Sequence, residues 1–345
     1  MAEQPKNFGF GEDEVMLRDS ARKFLNDHCS SDKLHRLVAS DFNLDRPNDC
    51  VWDQGLWQQI VDLGWTAVCV PEAAGGIGMP TVAAISLAEE VGRVAFPSPL
   101  IATLSATFVL NACDSAAATN ALTDIAAGKA TALALTNTDG QWDSTATGVQ
   151  VNAAGRLDGL AAFVQDARKC AQFIVSARSD AGVGLYLVSG AADGLTVTPD
   201  SIIDLTRDQA RLTFENVEAI ELAAPGTGDA AIDAALPALL CLISADMVGA
   251  GEWLLQTTVE YAKTRVQFDH PLGFFQAVKH PLVNVMLQVD NAKSLTYHAG
   301  CAFDHDPAEA LRLARMAKSE ASDMAIFSSS RAVQFHGGIG FTWEC

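Results

Sequence analysis

The chain has 345 residues, 49% of them hydrophobic, and carries a formal net charge of −19. That length suggests two or three domains at roughly 150 residues each. So large an acidic excess argues against a nucleic-acid partner, because phosphate backbones are gripped by clustered Lys and Arg. A phosphate-bearing cofactor needs only a few well-placed bases and stays open.

No stretch of about 18 residues is free of charged or strongly polar side chains, so no membrane span is expected. Residues Met1 to Glu14 carry acids and no apolar core, which fits neither a secretory signal nor an Arg-rich transit peptide, and a cytoplasmic protein is the simplest expectation. The eight cysteines contain no CxxC pair and read as small buried hydrophobes. The seven histidines lack HExxH spacing, and no metal is expected.

In chain order, Glu12 to His28 places Val15, Leu17, Phe24 and Leu25 on one side of an amphipathic helix. Val51 to Trp65 repeats the pattern. A turn-rich break follows at Pro71 to Pro80, then a periodic run from Thr81, ended by Pro97 and Pro99, and another helix from Ser98 to Cys113. Near Ala130 the pattern shifts to short Val-, Leu- and Phe-rich segments: TALALTN, GVQVNA, QFIVSAR, GLYLVSG, GLTVTPD and ARLTFENV. Turn residues separate them at intervals of roughly 8 to 15 residues, which predicts an antiparallel barrel or sandwich. From Ile232 the sequence is helical again, nearly apolar all round at first. Two more long helices follow, His280 to Phe303 and Asp306 to Phe335, with Asp306 and Pro307 suited to the N-cap and first turn of the second. The expected architecture is α+β and mostly α: a helical domain over 1–128, an antiparallel β domain over 129–228 and a C-terminal helical bundle over 229–345.

Three segments together resemble the acyl-CoA dehydrogenase family: LGWTAVCVPEAAGGIGMPTVAAISLAEEVGR (Leu63 to Arg93), YAKTRVQFDHPLGFFQAVKH (Tyr261 to His280) and QFHGGIGFTWE (Gln334 to Glu344). Within the family, the closer likeness is to subunits of the steroid-side-chain type. Physically, the Arg265 guanidinium can grip a pyrophosphate through two parallel hydrogen bonds. Gly337, Gly338 and Gly340 can bring backbone amides close to an anion. The resemblance assigns both groups to the ADP half of FAD, with Phe268, Gln276 and Gln334 alongside, at a contact with a neighbouring subunit. A surface ion pair for Arg265 and a helix cap for the glycines remain the alternatives.

The family's Thr-Glu-Pro-Gly turn reads TNTDG here (Thr136 to Gly140), and its Trp-bearing strand reads GLAAFVQDA (Gly159 to Ala167), with Phe163 as the aromatic. Thr136 is the candidate contact to the flavin ring edge; an ordinary strand-end Thr is the alternative.

The resemblance implies removal of a proton beside a thioester carbonyl, with hydride passing to the flavin. That chemistry needs a carboxylate base whose pKa is raised by a dry site. At one family position the chain has Leu239, which cannot act; the other lies on the loop beyond the GGIG segment, and family chains continue further there. Asp246, among Ile243, Ala245, Met247, Val248 and Gly249, is the candidate base, or else an acid paired with some Lys or Arg. Glu252 is a lesser candidate, and Glu344 reads as structural. The implied partners are an acyl-CoA substrate, an electron-transfer flavoprotein, and either further copies of the chain or a sister subunit in a heterotetramer. Within that last case, this chain is either catalytic or a non-catalytic half-site subunit that lends the ADP-binding face.

Overall fold

The computed structural model describes residues 5–39 and 50–342; Glu344 lies outside the described residues. The helices before the sheet are α1 (Glu12–His28), α2 (Ser31–Ala39), α3 (Gln54–Asp62), α4 (Thr81–Arg93), α5 (Leu100–Asn111) and α6 (Ala116–Ala126). Eight strands follow: β1 (Thr131–Ala134), β2 (Val149–Val151), β3 (Leu157–Gln165), β4 (Gln172–Ser179), β5 (Gly182–Ser189), β6 (Leu195–Pro199), β7 (Gln209–Val217) and β8 (Ile220–Ala223). The chain then forms α7 (Gly228–Thr264), a hairpin of β9 (Val266–Gln267) and β10 (His270–Pro271), α8 (Gln276–His305) and α9 (Pro307–His336). The fold class is as expected, mostly α with a central sheet.

Two compact units emerge. One gathers Met1–Ser30, Thr81–Phe96 and Leu240–Cys345; the other gathers Ser31–Pro80 and Pro97–Leu239.

In the second unit, the sheet runs β6-β7-β3-β2-β4-β5-β8. Most pairings are antiparallel as expected, but β1 and β2 run parallel to β4. The reason is length. β1 pairs with β4 over Gln172 to Val175 and β2 pairs at Arg178, so two short strands follow one another along a single edge of a longer one. The alternating inward residues Phe173, Val175, Leu212 and Phe214 form the core of this layer. α5 is buried from Leu100 to Leu110, which explains its all-round apolar sequence.

In the first unit, α4 crosses α7 at two glycines. A Cβ on Gly92 would stand 2.0 Å from the Asp246 carbonyl oxygen, and one on Gly249 would stand 1.9 Å from that of Glu89. Only glycine lets these backbones approach so closely. Val248, Val285, Val289, Ala292, Ala321 and Met324 pack α7, α8 and α9 together. The first amide of α4 is capped from α8: Asp304 accepts from Thr81 N at 2.8 Å and from Thr81 Oγ1 at 2.7 Å. Asp306 does hold the N-cap position of α9, with Pro307 in the first turn, but its side chain makes no cap bond; its backbone oxygen takes Glu309 N at 3.0 Å.

By length and composition α7 could cross a membrane, with an 18-residue window of mean hydropathy 1.8. Of that window 61% is buried within the protein, the pattern of a core helix, and one such helix is weak ground for a membrane segment.

Candidate functional site

The C-terminal ends of α7 and α9 are joined by a ring stack. Tyr261 and His336 lie with centroids 4.4 Å apart and planes 24° from parallel, and the Tyr261 hydroxyl approaches the His336 carbonyl at 3.5 Å. Arg265 follows Tyr261 by four residues, and Gly337 directly follows His336. The structure thus gathers two of the sequence-predicted groups at one end of the first unit.

Arg265 is exposed, and its guanidinium has no hydrogen-bond or ion-pair partner among the described residues. Its backbone is fixed on both sides: its amide donates to Tyr261 O at 2.9 Å, and its carbonyl accepts from Leu272 N at 2.8 Å. Gly337 ends α9 with a φ of +63°, and a Cβ on either Gly337 or Gly338 would meet nothing within 4 Å. Their loop is open to an incoming group. Gly340 differs, because a Cβ there would stand 2.6 Å from the Val333 carbonyl; its bareness is already required by the end of α9.

Phe268 and Asp269 form the two-residue tip of the β9–β10 hairpin, with φ values of +52° and +62°. Such a turn needs positive φ at both central positions, which strains residues other than glycine. Phe268 is 85% exposed at this strained tip, its ring edge-on to Phe275. Gln276 is exposed as the first residue of α8. Gln334 is exposed near the end of α9, its side-chain oxygen accepting from Arg331.

An unpaired guanidinium beside an open, glycine-bearing loop is a donor set suited to a diphosphate. The residues present fit the ADP half of a dinucleotide.

In the other unit, Thr136 lines an open cleft of about 540 Å³ with Gly140, Trp142, Phe163, Gln165 and Arg207. Its hydroxyl donates to the Ala162 carbonyl at 2.7 Å, leaving only acceptor capacity for a ligand. Phe163 sits at a bulge in β3 with φ +57°, half-exposed toward the cleft. Asn137 shapes the neighbouring turn, its side-chain oxygen accepting from Asp139 N at 3.1 Å and Gln141 N at 3.3 Å. The aromatic wall suits a flat ring, and the turn is built from different chemistry than the family's Thr-Glu-Pro-Gly. Sequence reasoning missed Trp142, Gln165 and Arg207. An aromatic residue inside the Gly- and Asp-rich stretch TNTDGQWDS was the available signal for the first.

Asp246 is half-buried on α7, at the crossing with α4. Three residues on, Gly249 takes part in the same crossing, and Glu252 lies one turn further along α7. Glu252 is drawn into a charge cluster, its Oε2 lying 3.5 Å from Lys293 Nζ, an ion-pair contact too long for a hydrogen bond. Glu89 is fully buried; it accepts from Lys293 Nζ at 2.6 Å and from the Tyr297 hydroxyl at 2.9 Å. Burial pushes its carboxyl above the ordinary range, against the pull of Lys293. Glu90, also fully buried, holds Arg22 at 2.6 Å and Arg93 at 2.8 Å. Three acids thus face three bases across α1, α4, α7 and α8. Sequence reasoning passed over Glu89 and Glu90, although two consecutive acids inside the apolar run TVAAISLAEEVGR were the signal. Leu239, 2% exposed, is an ordinary core residue.

Comparison with known proteins bears on what this arrangement serves. Residues 11–129 match the model of the acyl-CoA dehydrogenase N-terminal domain, and residues 229–345 that of the C-terminal domain. The chain is 30% identical to acyl-CoA dehydrogenase IpdE2 of Mycobacterium tuberculosis over 335 residues, which is 96% of this chain and 88% of that protein. The chain belongs to the acyl-CoA dehydrogenase family. Among solved structures, the acyl-CoA dehydrogenase fold recurs in a variant of the Tcur3481-Tcur3483 steroid ACAD, with a TM-score of 0.85 and 29% identity over 97% of this chain and 90% of that one. It recurs also in a structure concerning the electron transferring flavoprotein of Acidaminococcus fermentans, with a TM-score of 0.87 and 25% identity over 98% and 91%. Acyl-CoA dehydrogenases are flavin-dependent oxidoreductases, and this chain is an enzyme of that family.

Proposed function

We propose that the chain acts in the α,β-desaturation of an acyl-CoA thioester, with FAD held through its ADP half by Arg265 and the amides of Gly337 and Gly338. Phe268, Gln276 and Gln334 stand beside that grip, and Gly340 keeps the loop's shape. The observation that carries the reading is the unpartnered Arg265 guanidinium, on a backbone held by Tyr261 and Leu272, at the helix ends that the Tyr261–His336 stack joins to an open glycine loop. FAD, when bound, supplies the acceptor for a hydride from the β-carbon.

Asp246 is our candidate for the base that takes the α-proton. Its side chain is shorter than glutamate by about 1.5 Å of reach, so the substrate must sit correspondingly closer. Thr136 would accept a hydrogen bond from the ring edge. The electrons then pass to an electron-transfer flavoprotein, and the chain works as an oligomer, with copies of itself or with a sister subunit. Likeness to the steroid ACAD structure favours a bulky, ring-derived acyl group. We place the chain in the cytoplasm, as the sequence reading expects.

One observation favours a second reading, in which the chain lends only the ADP-binding face to a sister subunit. The Thr136 hydroxyl is committed to Ala162, and Asn137 organises a turn unlike the family's. The visible spectrum of the purified chain separates the two readings. Yellow protein with one flavin per chain supports the first. Colourless protein that yellows only on co-expression with a sister subunit supports the second. No flavin in either case contradicts both.

A further inference from the structure

A cavity of about 400 Å³ opens in the first unit, and it shares no lining residue with the Arg265 site. That size falls within the roughly 300–1,000 Å³ of small-molecule sites. Asn291, Ser294, Leu295 and His298 follow one another at helical spacing on one face of α8, and Glu320 joins them from α9. The Phe8 ring, 5.7 Å from that of His298, completes the lining. Glu320 is the only acid among the described lining residues, and no Lys or Arg contributes. The side chains of Glu320, Asn291 and Ser294 have no hydrogen-bond or ion-pair partner among the described residues, so three oxygens are open to whatever enters.

Phe8 is placed there under strain. Asn7, Phe8 and Gly9 hold φ values of +54°, +56° and +75°, a region that phenylalanine avoids. Strained backbone persists where its surroundings over-determine it, and it gathers at ligand clamps. Two residues on, Phe10 anchors the segment: its ring sits edge-on to Tyr297 at 5.6 Å, and the Arg18 guanidinium lies 5.2 Å from its centre. The outcome is an aromatic ring, 38% exposed, on the same cavity wall as an unpaired carboxylate.

We infer that this cavity is a binding site for a primary ammonium on a short aliphatic chain, an alkylamine or a diamine. An ammonium carries three N–H donors and no acceptor, which matches Glu320, Asn291 and Ser294 in number and kind. Glu320 pairs its charge, and the face of the Phe8 ring attracts a cation as well. Leu295 gives the alkyl stem an apolar wall. An anion would meet the Glu320 charge with no Lys or Arg in the lining to offset it. A divalent metal ion gathers six or more oxygens and would find a single carboxylate here. The formal net charge of −19 draws small cations toward the protein at low salt.

The test is calorimetric titration of the full-length protein, with its flavin and any sister subunit in place, using n-butylamine hydrochloride at neutral pH and low salt. Butan-1-ol and the tetramethylammonium ion serve as comparisons, the first without charge and the second without N–H donors. The amine should bind at least about tenfold more tightly than either, the effect of roughly one hydrogen bond to a charged group. Glu320→Gln should weaken amine binding about tenfold, and Phe8→Leu about threefold, the effect of an exposed cation–π contact. Both variants should keep their flavin, because neither residue belongs to the Arg265 site. Equal binding of the amine and butan-1-ol would overturn the site, as would undiminished amine affinity in Glu320→Gln. Equal binding of tetramethylammonium would overturn the assignment to a primary ammonium. The ligand is not a thioester, so either result leaves the acyl-CoA reading to its own test.

Discussion

The Tyr261 ring stacks on the His336 imidazole at 4.4 Å, and this contact holds the Arg265 backbone and the Gly337–Gly338 loop at one end of the helical unit. Aromatic pairs of this kind contribute about 1 kcal/mol beyond burial. Tyr261→Ala should therefore weaken flavin binding about fivefold or more, with helix content by circular dichroism unchanged. Tyr261→Phe keeps the stack and loses only a 3.5 Å contact, so it should behave as wild type. Flavin fluorescence titration checks both.

The α4–α7 crossing predicts a reversed glycine effect. In an open helix, Gly→Ala stabilises by about 1 kcal/mol. Here a Cβ on Gly92 would collide with the Asp246 carbonyl of α7, and one on Gly249 with the Glu89 carbonyl of α4. Gly92→Ala and Gly249→Ala should each destabilise by about 1–3 kcal/mol through forced backbone shifts. Thermal denaturation reads this directly. The Gly92 change should also lower turnover, because it displaces the residue that carries the candidate base.

Lys293 is the only cation that directly pairs with Glu89 among the described contacts. Lys293→Met would strand a fully buried carboxylate, and we expect a loss of about 3 kcal/mol, the low end for a broken buried pair, because the Lys293 side chain is 33% exposed. Glu89→Gln should cost less, since it removes the charge with its need for a partner. For lysine, burial lowers the pKa, but the Glu89 charge and hydrogen bond, with Glu252, raise it further, and the net shift is upward. A group whose pKa rises on folding gives stability that is fully present below its unfolded value. The stability gap between wild type and Lys293→Met should therefore hold through neutral pH and shrink above the ordinary lysine range. Urea melts across alkaline pH test the sign.

Asp269 holds a φ of +62° at the hairpin tip. Relief of that strain should make Asp269→Gly more stable by about 1 kcal/mol, offset in part by the greater freedom of glycine in the unfolded chain. Chemical denaturation at neutral pH checks it; a loss of stability would mean that the Asp269 side chain holds the tip.

Much of the fold was legible because periodicity is a direct record of burial. The helix expected from Glu12 to His28 has those very bounds, and all six expected strand segments contain strands. α6 escaped notice because two of the four residues in its buried stripe, Ala118 and Ala121, are alanine, and its start depends on one Ser115 side-chain bond at 3.1 Å. β8 is four residues long and leans on β5 for its existence. α8 starts at Gln276 rather than His280, with Pro281 inside the helix, where it forgoes one backbone bond. A candidate site could be named where a single side chain would carry the chemistry, as at Arg265, Phe268 and the glycines. It was not legible where function depends on partners distant in sequence. Nothing near Thr136 in the chain reveals that its hydroxyl belongs to Ala162, and nothing near Glu89 reveals Lys293, 204 residues away. The parallel placement of β1 and β2 is likewise a property of the edge of β4, which neither strand encodes.

The most direct measurement is the dissociation constant for FAD of the protein in its assembled state, compared with that of Arg265→Ala. A guanidinium bonded to a diphosphate contributes about 1.5–3 kcal/mol, so affinity should fall by roughly 10- to 150-fold while the melting temperature of the flavin-free protein stays put. Unchanged flavin affinity in Arg265→Ala would contradict the account.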